Sequence, residues 1–543
     1  MTVQTIPTQP ISGQRPGTSG LRAKTATFRQ PGYLENFVQA TFDAIGGLSG
    51  KVLVLGGDGR FFGDQAVQVI LSMAAANGAA RVIVGQNGWL STPAASNLIR
   101  QSGADGGIIL SASHNPGGED GDFGVKYNIA NGGPAPEAVT EAIHARTQDI
   151  TQYQRLDEGP VDLSVLGESR LGEMIVQVVD PVADYADLME TLVDFDAIRA
   201  WLKAGHRIVF DAMCAITGPY AVEIIENRLG APKGSVIRSQ PLPDFGGLHP
   251  DPNPTWAAEL METMFGPDAP DFGAASDGDG DRNMIVGRGA YVSPSDSLAV
   301  IAANAHLCPG YRGGIAGVAR SMPTSGAADR VAAAMRIEAH ETPTGWKFFG
   351  NLLDAGRVTI CGEESFGTGS DHVREKDGLW AVLVWLNILA ATGQGVGDLL
   401  AAHWARFGRN YYSRHDYEAI PTATAAPVFD GLRDRLPGLA GQTVAGLRVE
   451  QADEFSYHDP VDGSVSMRQG LRVIFDDGSR VVLRQSGTGT EGTTLRLYLE
   501  RFTDDPTALD HEVQAALAPV IAAAAELTGL PGSVGRDGPD VVT

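Results

Sequence analysis

Residues 51–118 have the sequence KVLVLGGDGRFFGDQAVQVILSMAAANGAARVIVGQNGWLSTPAASNLIRQSGADGGIILSASHNPGG. Three short apolar runs alternate here with two stretches of helical pattern, in the order 52–55, 65–77, 81–84, 92–101 and 107–110. This alternation predicts a β-α-β-α-β unit with a mixed or parallel sheet flanked by helices. We expect the loop after the last run to lie at the strand ends, where α/β folds bind ligands.

The same alternation occurs twice more along the chain. Apolar runs at 207–210 and 314–318 precede helical patterns at 219–228 and 325–335, respectively. The sequence therefore predicts three related α/β units.

The pattern changes after about residue 407. Apolar runs at 473–475 and 481–483 flank the turn Asp476-Asp477-Gly478, which predicts a hairpin, and another strand is expected at 494–499. An Ala-rich helical pattern covers 507–527, and residues 531–543 resemble a loose tail. The fourth unit is therefore expected to be α+β.

Composition limits the classes of function. A chain of 543 residues is too long for one hydrophobic core, and 43% hydrophobic with 20% charged residues is ordinary for a globular protein. The formal charge of -24 argues against binding to nucleic acid or to an anionic membrane, because both need positive potential. Any phosphate site must therefore be a local basic pocket.

Cysteine usage and hydropathy point to a reducing compartment. Cys214, Cys308 and Cys361 form no close pair, so neither a disulfide framework nor a zinc site is indicated. Residues 1–30 lack the apolar core of a signal peptide, and no run approaches the ~18 apolar residues of a membrane span. We expect a cytoplasmic protein.

An acidic loop follows the strand-like run at 272–276. Asp277-Gly278-Asp279-Gly280-Asp281-Arg282 places three carboxylates at alternate positions, which suits magnesium or calcium, although a solvated acidic turn is an alternative. A calcium-hand loop is excluded, since its sixth and twelfth positions would hold Arg282 and Arg288 instead of Gly and Glu. A cation beside an arginine suits a phosphoryl group.

A second candidate is the tight turn Ser113-His114-Asn115-Pro116-Gly117-Gly118. A rigid turn suits a serine that carries a covalent group, whereas a plain hydrogen-bonded turn is the alternative. A protease triad is disfavoured, because no Gly-x-Ser-x-Gly elbow surrounds Ser113.

Two further loops carry polar groups. Gly362-Glu363-Glu364-Ser365-Phe366-Gly367 follows the apolar run 358–361, and its side chains could bind vicinal sugar hydroxyls. Residues 374–378 are expected to begin a helix, in which Lys376 is either a proton-transfer group or a surface ion-pair partner.

The stretch 484–492 has the sequence RQSGTGTEG, followed by Arg496. Its backbone amides, hydroxyls and guanidinium groups could bind an anion. The glycines also match a dinucleotide fingerprint, but that motif needs a following helix, whereas 494–499 has the pattern of a strand. The sequence contains no Walker phosphate loop.

Together, these four loops in this order resemble the α-D-phosphohexomutase superfamily. Within it the chain is similar to the phosphoglucomutase branch, because residues 277–286, 342–349 and 361–380 match that branch nearly without interruption. The resemblance implies an α/β protein of four domains around a deep central cleft, three related α/β units with mixed sheets and a smaller α+β domain. We place these domains at residues 1–186, 187–294, 295–407 and 408–543.

The resemblance also implies roles for individual residues. Ser113 would be the phosphoserine, and it would hold magnesium together with Asp277, Asp279 and Asp281. Arg282 would contact the phosphoryl group, Lys376 would transfer a proton, and the remaining transfer-site residues would be Arg22, His114 and Lys126. Glu363, Ser365 and Thr344 would contact the sugar. The second phosphate would be bound by Arg484, Ser486, Gly487, Thr488, Gly489 and Arg496.

The implied reaction interconverts glucose 1-phosphate and glucose 6-phosphate through glucose 1,6-bisphosphate, with small sugar phosphates as partners and a monomeric chain. Two positions depart from the family: Ser111 stands where Thr is more common, and Glu491 adds a negative charge to the phosphate loop. A phosphomannomutase or dual-specificity mutase is the alternative enzyme. A noncatalytic phosphorylated scaffold is the alternative of another class.

Overall fold

The computed structural model describes residues 2–486 and 492–543. Unit 1 contains a seven-stranded sheet with the order β2-β6-β5-β3-β4-β9-β8, and β1 pairs separately with β7. Its strands are Val3–Pro7 (β1), Leu21–Lys24 (β2), Val52–Gly57 (β3), Arg81–Trp89 (β4), Gly106–Leu110 (β5), Asp122–Ile129 (β6), Gln152–Leu156 (β7), Gly167–Leu171 (β8) and Met174–Val179 (β9). Its helices are Thr25–Phe28 (α1), Tyr33–Ala44 (α2), Gly63–Ala76 (α3), Thr92–Ser102 (α4) and Glu137–Thr147 (α5).

Unit 2 is built on a five-stranded sheet with the order β11-β10-β12-β13-β14. Its strands are Ile208–Asp211 (β10), Val236–Ile237 (β11), Phe272–Ser276 (β12), Asn283–Gly287 (β13) and Ala290–Val292 (β14). The helices before and between them are Pro181–Leu192 (α6), Phe195–Lys203 (α7), Thr217–Ala221 (α8), which continues as a π-helix over Val222–Arg228, and Ala258–Met264 (α9).

Unit 3 is built on a four-stranded sheet with the order β16-β15-β17-β18. Its strands are Gly317–Ser321 (β15), Glu338–Thr342 (β16), Ile360–Gly362 (β17) and Thr368–Ser370 (β18). Its helices are Pro294–Asn304 (α10), Ala327–Met335 (α11), Lys347–Asp354 (α12), Gly378–Thr392 (α13) and Val396–Phe407 (α14).

Units 1 to 3 share one strand arrangement. In each, three parallel strands are followed by an antiparallel one, in the orders β6-β5-β3-β4, β13-β12-β10-β11 and β18-β17-β15-β16. The last parallel strands are β5, β12 and β17, and their loops carry Ser113, the three aspartates and Glu363. The three related α/β units with mixed sheets are thus confirmed, and their equivalent loops contain residues predicted for the site.

Helix boundaries follow local sequence. Ser91 caps α4 by accepting a hydrogen bond from the Ala94 N–H, Pro93 occupies its first turn, and Gly103 ends it with a left-handed φ of +63°. The helix expected from residue 374 begins only at Gly378, because the Asp377 side chain caps it by accepting from the Trp380 N–H. Lys376 therefore lies in the loop before α13.

Unit 4 is an antiparallel sheet with the order β20-β21-β24-β25-β26-β19-β27, covered by two helices. Its strands are Arg409–Ile420 (β19), Thr443–Val444 (β20), Leu447–Glu454 (β21), Tyr457–His458 (β22), Val465–Ser466 (β23), Leu471–Phe475 (β24), Arg480–Ser486 (β25), Thr493–Thr503 (β26) and Val541–Val542 (β27). The helices are Thr422–Leu439 (α15) and Val513–Thr528 (α16). The predicted hairpin corresponds to β24 and β25.

The prediction of a loose C-terminal tail was wrong. Val541 and Val542 pair with Asp416 and His415 of β19, which would otherwise be the edge strand of the sheet. Unpaired backbone groups at a sheet edge favour such pairing even when the added segment is short.

One apolar cluster runs through units 1 to 3, a second large cluster lies within unit 1, and unit 4 has its own core. Helix α13 lies in the shared core, with Trp380 and Trp385 fully buried. Unit 4 is joined to unit 3 by hydrogen bonds from Arg480 to the carbonyls of Met322 and Thr324, at 2.7 and 2.8 Å. Among the described helices none alone could cross a bilayer, while α13 and α14 together have the required length and composition, with an 84° bend between them.

Candidate active site

Ser113 lies in the turn between β5 and β6, in an uncommon backbone conformation. Its φ is +52°, in the left-handed region that non-glycine residues rarely adopt. Arg60 holds the turn by donating to the Ser113 carbonyl at 2.8 Å, and Arg60 is itself buried in an ion pair with Asp58 at 2.9 Å. Such strain persists where the surroundings enforce it, and here they fix the direction of the serine.

The serine of unit 1 contacts the acidic loop of unit 2. The Ser113 hydroxyl donates to Oδ2 of Asp277 at 2.8 Å. Oδ1 of Asp277 accepts from three backbone N–H groups at 3.0 to 3.1 Å, which belong to Gly280, Asp281 and Arg282. A Cβ at Gly278 would lie 2.4 Å from the Ser113 carbonyl oxygen, so only glycine permits this approach.

The three aspartates form a buried cluster. Ligand oxygens of Asp277, Asp279 and Asp281 lie within 4.8 Å of one another. Thr92 donates to one oxygen of Asp279 at 2.7 Å, and Lys376 lies 3.1 Å from one oxygen of Asp281. The other oxygens of Asp279 and Asp281 are buried without a hydrogen bond in the described part of the chain. This donor set fits a hard divalent cation that prefers oxygen.

The electrostatics of the cluster favour a bound cation. Burial, together with the charges of Asp279 and Asp281, raises the pKa of Asp277 well above its ordinary value. Burial also acts on Asp279, but the charge of Lys126 and the hydrogen bond from Thr92 outweigh it and lower the pKa of that carboxyl. A divalent cation would stabilise all three ionised carboxylates.

Cationic side chains surround the aspartates. Arg282 lies 3.9 Å from Asp277 and 3.8 Å from Asp251. Arg22 is half-buried; burial lowers its pKa, and the nearby charge of Asp279 opposes this effect. Burial opposes the charge of Lys376, but Asp281 outweighs it and raises the lysine pKa, so the amine is protonated at neutral pH. The structure thus combines negative ligands for a cation with positive groups for a phosphoryl oxygen.

His114 is a neutral imidazole at neutral pH. Burial and then the charges of Arg282 and Arg22 lower its pKa well below the ordinary value. Its ring stacks on His249 with the centroids 6.1 Å apart, and Nδ1 is buried without a hydrogen bond among the described residues.

The predicted sugar-binding loop approaches the same place from unit 3. Glu363 is buried, and its Oε1 accepts from the Gly345 N–H at 2.9 Å. Burial raises the Glu363 pKa, although the nearby Lys376 opposes this effect. Ser365 is half-buried, and the Thr344 hydroxyl is buried without a hydrogen bond among the described residues. A backbone hydrogen bond of 2.9 Å from Asn283 to Phe366 ties this loop to unit 2.

The predicted phosphate loop is described only in part. Arg484 in β25 donates to the Gln469 carbonyl at 3.2 Å, and Arg496 in β26 lies 3.5 Å from Asp416. Ser486 ends β25, whereas Gly487, Thr488, Gly489 and Glu491 lie outside the described residues. Neither arginine contacts the aspartate cluster directly, so this region forms a second polar centre.

Several residues around the site were missed by the sequence analysis. Arg60 and Thr92 were missed because they hold the loops through partners 53 and 187 positions away, respectively. Glu375 forms a buried ion pair with Lys126 and accepts from Asn128 at 2.8 Å. Of these missed residues, only Asp251 has a signal in the sequence: it lies between Pro250 and Pro252, a pattern typical of a rigid loop.

The family follows from comparison of the whole chain. The phosphoglucomutase/phosphomannomutase alpha/beta/alpha domains I, II and III match residues 13–154, 183–289 and 294–407. The C-terminal domain of phosphoglucomutase-1 matches residues 409–540. The chain belongs to the phosphoglucomutase family. This is a family of isomerases of carbohydrate metabolism, and it lies within the α-D-phosphohexomutase superfamily.

Similarity to individual relatives is full length. The phosphoglucomutase of Rhizobium radiobacter is 58% identical, and phosphoglucomutase-1 of Oryctolagus cuniculus is 50% identical, each over 100% of both chains. The crystal structure of pp63/parafusin, a phosphoglucomutase from Paramecium in an open form, is similar with a TM-score of 0.92. Its sequence is 46% identical, covering 100% of this chain and 99% of that one. The four-domain architecture of this phosphoglucomutase family therefore extends through the whole chain.

Proposed function

We propose that the protein interconverts α-D-glucose 1-phosphate and glucose 6-phosphate through a phosphoserine at Ser113 and a glucose 1,6-bisphosphate intermediate. The observation that carries this proposal is the 2.8 Å contact between the Ser113 hydroxyl and Asp277, at the edge of a buried three-carboxylate cluster. Full-length relatives named phosphoglucomutase support the choice of sugar.

The metal in this proposal is Mg²⁺, which Asp277, Asp279, Asp281 and the phosphate on Ser113 would hold. The buried oxygens of Asp279 and Asp281 that have no hydrogen bond within residues 2–486 and 492–543 support this donor set. When bound, the ion neutralises charge on the phosphoryl oxygens and acts as a Lewis acid.

The protein's own cations position the phosphoryl group. Arg282 and Arg22 bind its oxygens, and Lys126 and neutral His114 line the same place. During transfer, the bond between Ser113 Oγ and phosphorus breaks while the sugar hydroxyl bonds to phosphorus and loses its proton. Lys376 is protonated, which suits it to a relay in which it donates its proton to the leaving Oγ and takes up the proton that the sugar hydroxyl loses, so that the net step moves one proton from the sugar to Ser113. Positioning and electrostatic stabilisation supply most of the rate enhancement.

The intermediate must present each of its two phosphates to Ser113 in turn. Glu363, Ser365 and Thr344 hold the sugar in both directions. The phosphate that is not being transferred is bound by Arg484, Ser486, Gly487, Thr488, Gly489 and Arg496. Because the transfer site and this second centre are fixed in different units, the sugar has to turn end for end between half-reactions.

A coupled assay tests the proposal. Formation of glucose 6-phosphate from glucose 1-phosphate is expected with Mg²⁺, and little is expected after chelation. Isotope exchange between the two sugar phosphates distinguishes a mutase from a noncatalytic scaffold, which would show none. A rate with mannose 1-phosphate equal to that with glucose 1-phosphate would favour a dual-specificity mutase.

A further inference from the structure

A chain of buried polar side chains ends at Asp377, the residue that follows Lys376. Oδ1 of Asp377 accepts from the Tyr185 hydroxyl at 2.6 Å, and Oδ2 lies 2.9 Å from Nε2 of His372. Nδ1 of His372 in turn lies 2.7 Å from the hydroxyl oxygen of Ser370. The side chains of His372 and Asp377 are 1% and 0% exposed, and Ser370 is fully buried. We call Ser370, His372 and Asp377 the buried triad.

The buried triad does not have the arrangement of a nucleophilic triad. There, Nε2 of the histidine faces the serine and Nδ1 faces the carboxylate, whereas here Nδ1 faces Ser370 and Nε2 faces Asp377. The oxygen of Ser370 also lies 2.5 Å from the hydroxyl of Tyr311, in the interior of unit 3. A substrate therefore has no access to this serine, and the buried triad acts on its surroundings and not on a ligand.

One assignment of the hydrogens gives every donor of this chain an acceptor. The Trp380 indole donates to the Tyr311 oxygen at 2.8 Å, and the Tyr311 hydroxyl donates to Ser370. Ser370 then donates to Nδ1 of His372, and Nε2–H of His372 donates to Asp377. A buried network in which each member is satisfied is rigid, so this one holds the Asp377 carboxylate in a single place.

Asp377 is also held by other elements. Oδ1 accepts from the Trp380 N–H at 3.0 Å, at the start of α13, and the Asp377 N–H donates to the Thr368 carbonyl of β18 at 2.8 Å. Tyr185 comes from α6 of unit 2. Burial, and then the charge of Asp377, raise the pKa of Tyr185 well above its ordinary value, so the hydroxyl remains a donor. Through Tyr185, Asp377 is attached to the unit that carries the three aspartates.

The position of Lys376 follows from this attachment. Its backbone is fixed on one side by Asp377, and its stem lies directly against Gly367, where a Cβ would overlap Cδ of the lysine. Nζ then lies 3.1 Å from Oδ2 of Asp281. A lysine side chain has several rotatable bonds, so its amine stays at one point only when its surroundings restrict them.

We propose that Tyr185 and the buried triad are positioning residues that hold Lys376 beside Asp281. The inference rests on the proposed function, in which Lys376 relays a proton between the sugar and Ser113. The hydrogen bond from Tyr185 sets the lysine of unit 3 against the acidic loop of unit 2, so the distance between the two is fixed within one frame.

Tyr185→Phe is the most direct probe, because it removes one hydrogen bond to Asp377 and keeps the buried ring. It is expected to lower kcat by about 10-fold to 100-fold, the range for displacing a reacting group by up to about 1 Å, and to change KM for glucose 1-phosphate by less than about 2-fold. Tyr411→Phe is the matched control, because Tyr411 is a buried tyrosine whose hydroxyl donates to the Ala508 carbonyl within unit 4. Both constants should stay at their wild-type values in the control.

A double-mutant cycle separates positioning from support of the fold. In protein carrying Lys376→Met, Tyr185→Phe is expected to lower the remaining kcat by less than about 2-fold, because the side chain that it positions is gone. If Tyr185→Phe lowers kcat by the same factor with and without Lys376, the tyrosine supports the fold alone and the inference is overturned.

A crystal structure of the Tyr185→Phe variant tests the inference without turnover. The distance from Nζ of Lys376 to Oδ2 of Asp281 is expected to exceed the present 3.1 Å by about 0.5 Å or more, and an unchanged distance would overturn the inference. A longer distance in a protein whose wild type shows no mutase turnover would retain the positioning role and overturn the proposed function. If Tyr185→Phe does not fold, Ser370→Ala is measured in the same ways, and wild-type kcat with an unchanged distance would overturn the inference.

Discussion

The hydroxyl of Ser113 donates a 2.8 Å hydrogen bond to Asp277, although 164 positions separate the two residues in the chain. The serine lies in the loop after β5 of unit 1, and the aspartate lies in the loop after the equivalent strand, β12, of unit 2. Neither loop alone forms a site for a phosphoryl group and a metal ion. Packing of the two units against each other therefore brings the proposed phosphoserine and the proposed metal ligands together.

We predict that Ser113→Ala abolishes both turnover and phosphorylation of the resting protein. The substitution removes the Oγ atom that carries the phosphoryl group in the proposed mechanism, so activity should fall on the order of 10⁴-fold or more. Coupled assays and phosphopeptide mass spectrometry measure the two effects. Active protein that carries no phosphate at Ser113, analysed under phosphate-preserving conditions, would contradict the assignment.

Metal dependence is the second prediction. Asp279→Asn removes one charge from the cluster while keeping its shape, and should lower activity by about 100-fold, as expected for loss of an electrostatic contact to the reacting group. Chelation should inactivate the protein, and Mg²⁺ should restore activity. Asp268→Asn, at an exposed aspartate of the same unit, is the control. Full activity in excess chelator after dialysis would rule out the metal site.

Arg60 provides a third prediction, because it braces the Ser113 turn without belonging to the acidic loop. Arg60→Met leaves the buried Asp58 carboxylate without its partner and removes two hydrogen bonds, to Ser113 and to Asp122. The expected cost in stability is about 3 to 5 kcal/mol, with a loss of kcat larger than any change in KM. Thermal unfolding and steady-state kinetics test this. A variant with normal stability and normal kcat would show that the contacts of Arg60 with Asp58 and with the Ser113 turn are not required.

A fourth prediction concerns acid stability. Burial, and then the charge of Arg406, lowers the pKa of His403 to about 4. The unfolded chain takes up the proton at the ordinary pKa of about 6.5, so stability is lost as the pH falls from about 6.5 towards 4. Between about pH 7.5 and pH 5 the loss from this group is about 2 kcal/mol.

His403→Leu should therefore reduce the drop in Tm over the same pH interval, because Leu does not bind a proton. His458→Gln at an exposed histidine should leave the drop unchanged. Equal pH dependence in the wild type and in His403→Leu would show that other groups control acid unfolding.

The loops of the candidate site could be predicted because each follows a short apolar strand and contains unusual residues. The acidic repeat beginning at Asp277 and the turn at Ser113 have this signature. Asp416 does not, since Arg-His-Asp within a strand is an ordinary surface pattern. Only the register with β26 places it beside Arg496, and register depends on long-range pairing that the local sequence does not specify.

Residues that support the site from a distance could not be predicted either, because their contacts are also made by segments far apart in the chain. In the sequence, Glu375 is one of four consecutive charged residues at 374–377, and nothing there indicates that it is buried. In the fold it forms a buried ion pair with Lys126, which is 249 positions away in the chain. The longest apolar run in the C-terminal tail is the pair Val541 and Val542, which is too short for a strand prediction. Its pairing with β19 reflects the free edge of that strand, a property of the assembled sheet.

The last prediction concerns the choice of sugar. Glucose and mannose phosphates differ only at the 2-hydroxyl, so the pocket can distinguish them only by contacts at that position. Glu363 and Ser365 are expected to bind the 3- and 4-hydroxyls, which both sugars share. Discrimination should then depend on neighbours such as Phe366, Thr344 and Trp346. Phe366 has a left-handed φ of +67°, and Trp346 is buried, so both are held in place.

A misplaced 2-hydroxyl would leave a buried polar group underpaired, at about 1 to 3 kcal/mol, which is roughly 5-fold to 150-fold in kcat/KM. We therefore expect a clear but incomplete preference for glucose 1-phosphate over mannose 1-phosphate. Glu363→Ala should lower kcat/KM for both sugars by similar factors. Thr344→Val replaces a buried hydroxyl that has no hydrogen bond to the described residues, and it should change the ratio between the two sugars. Equal kcat/KM for the two sugars in the wild type would instead identify a dual-specificity mutase. Contacts to the 2-hydroxyl would then contribute nothing to the choice of substrate.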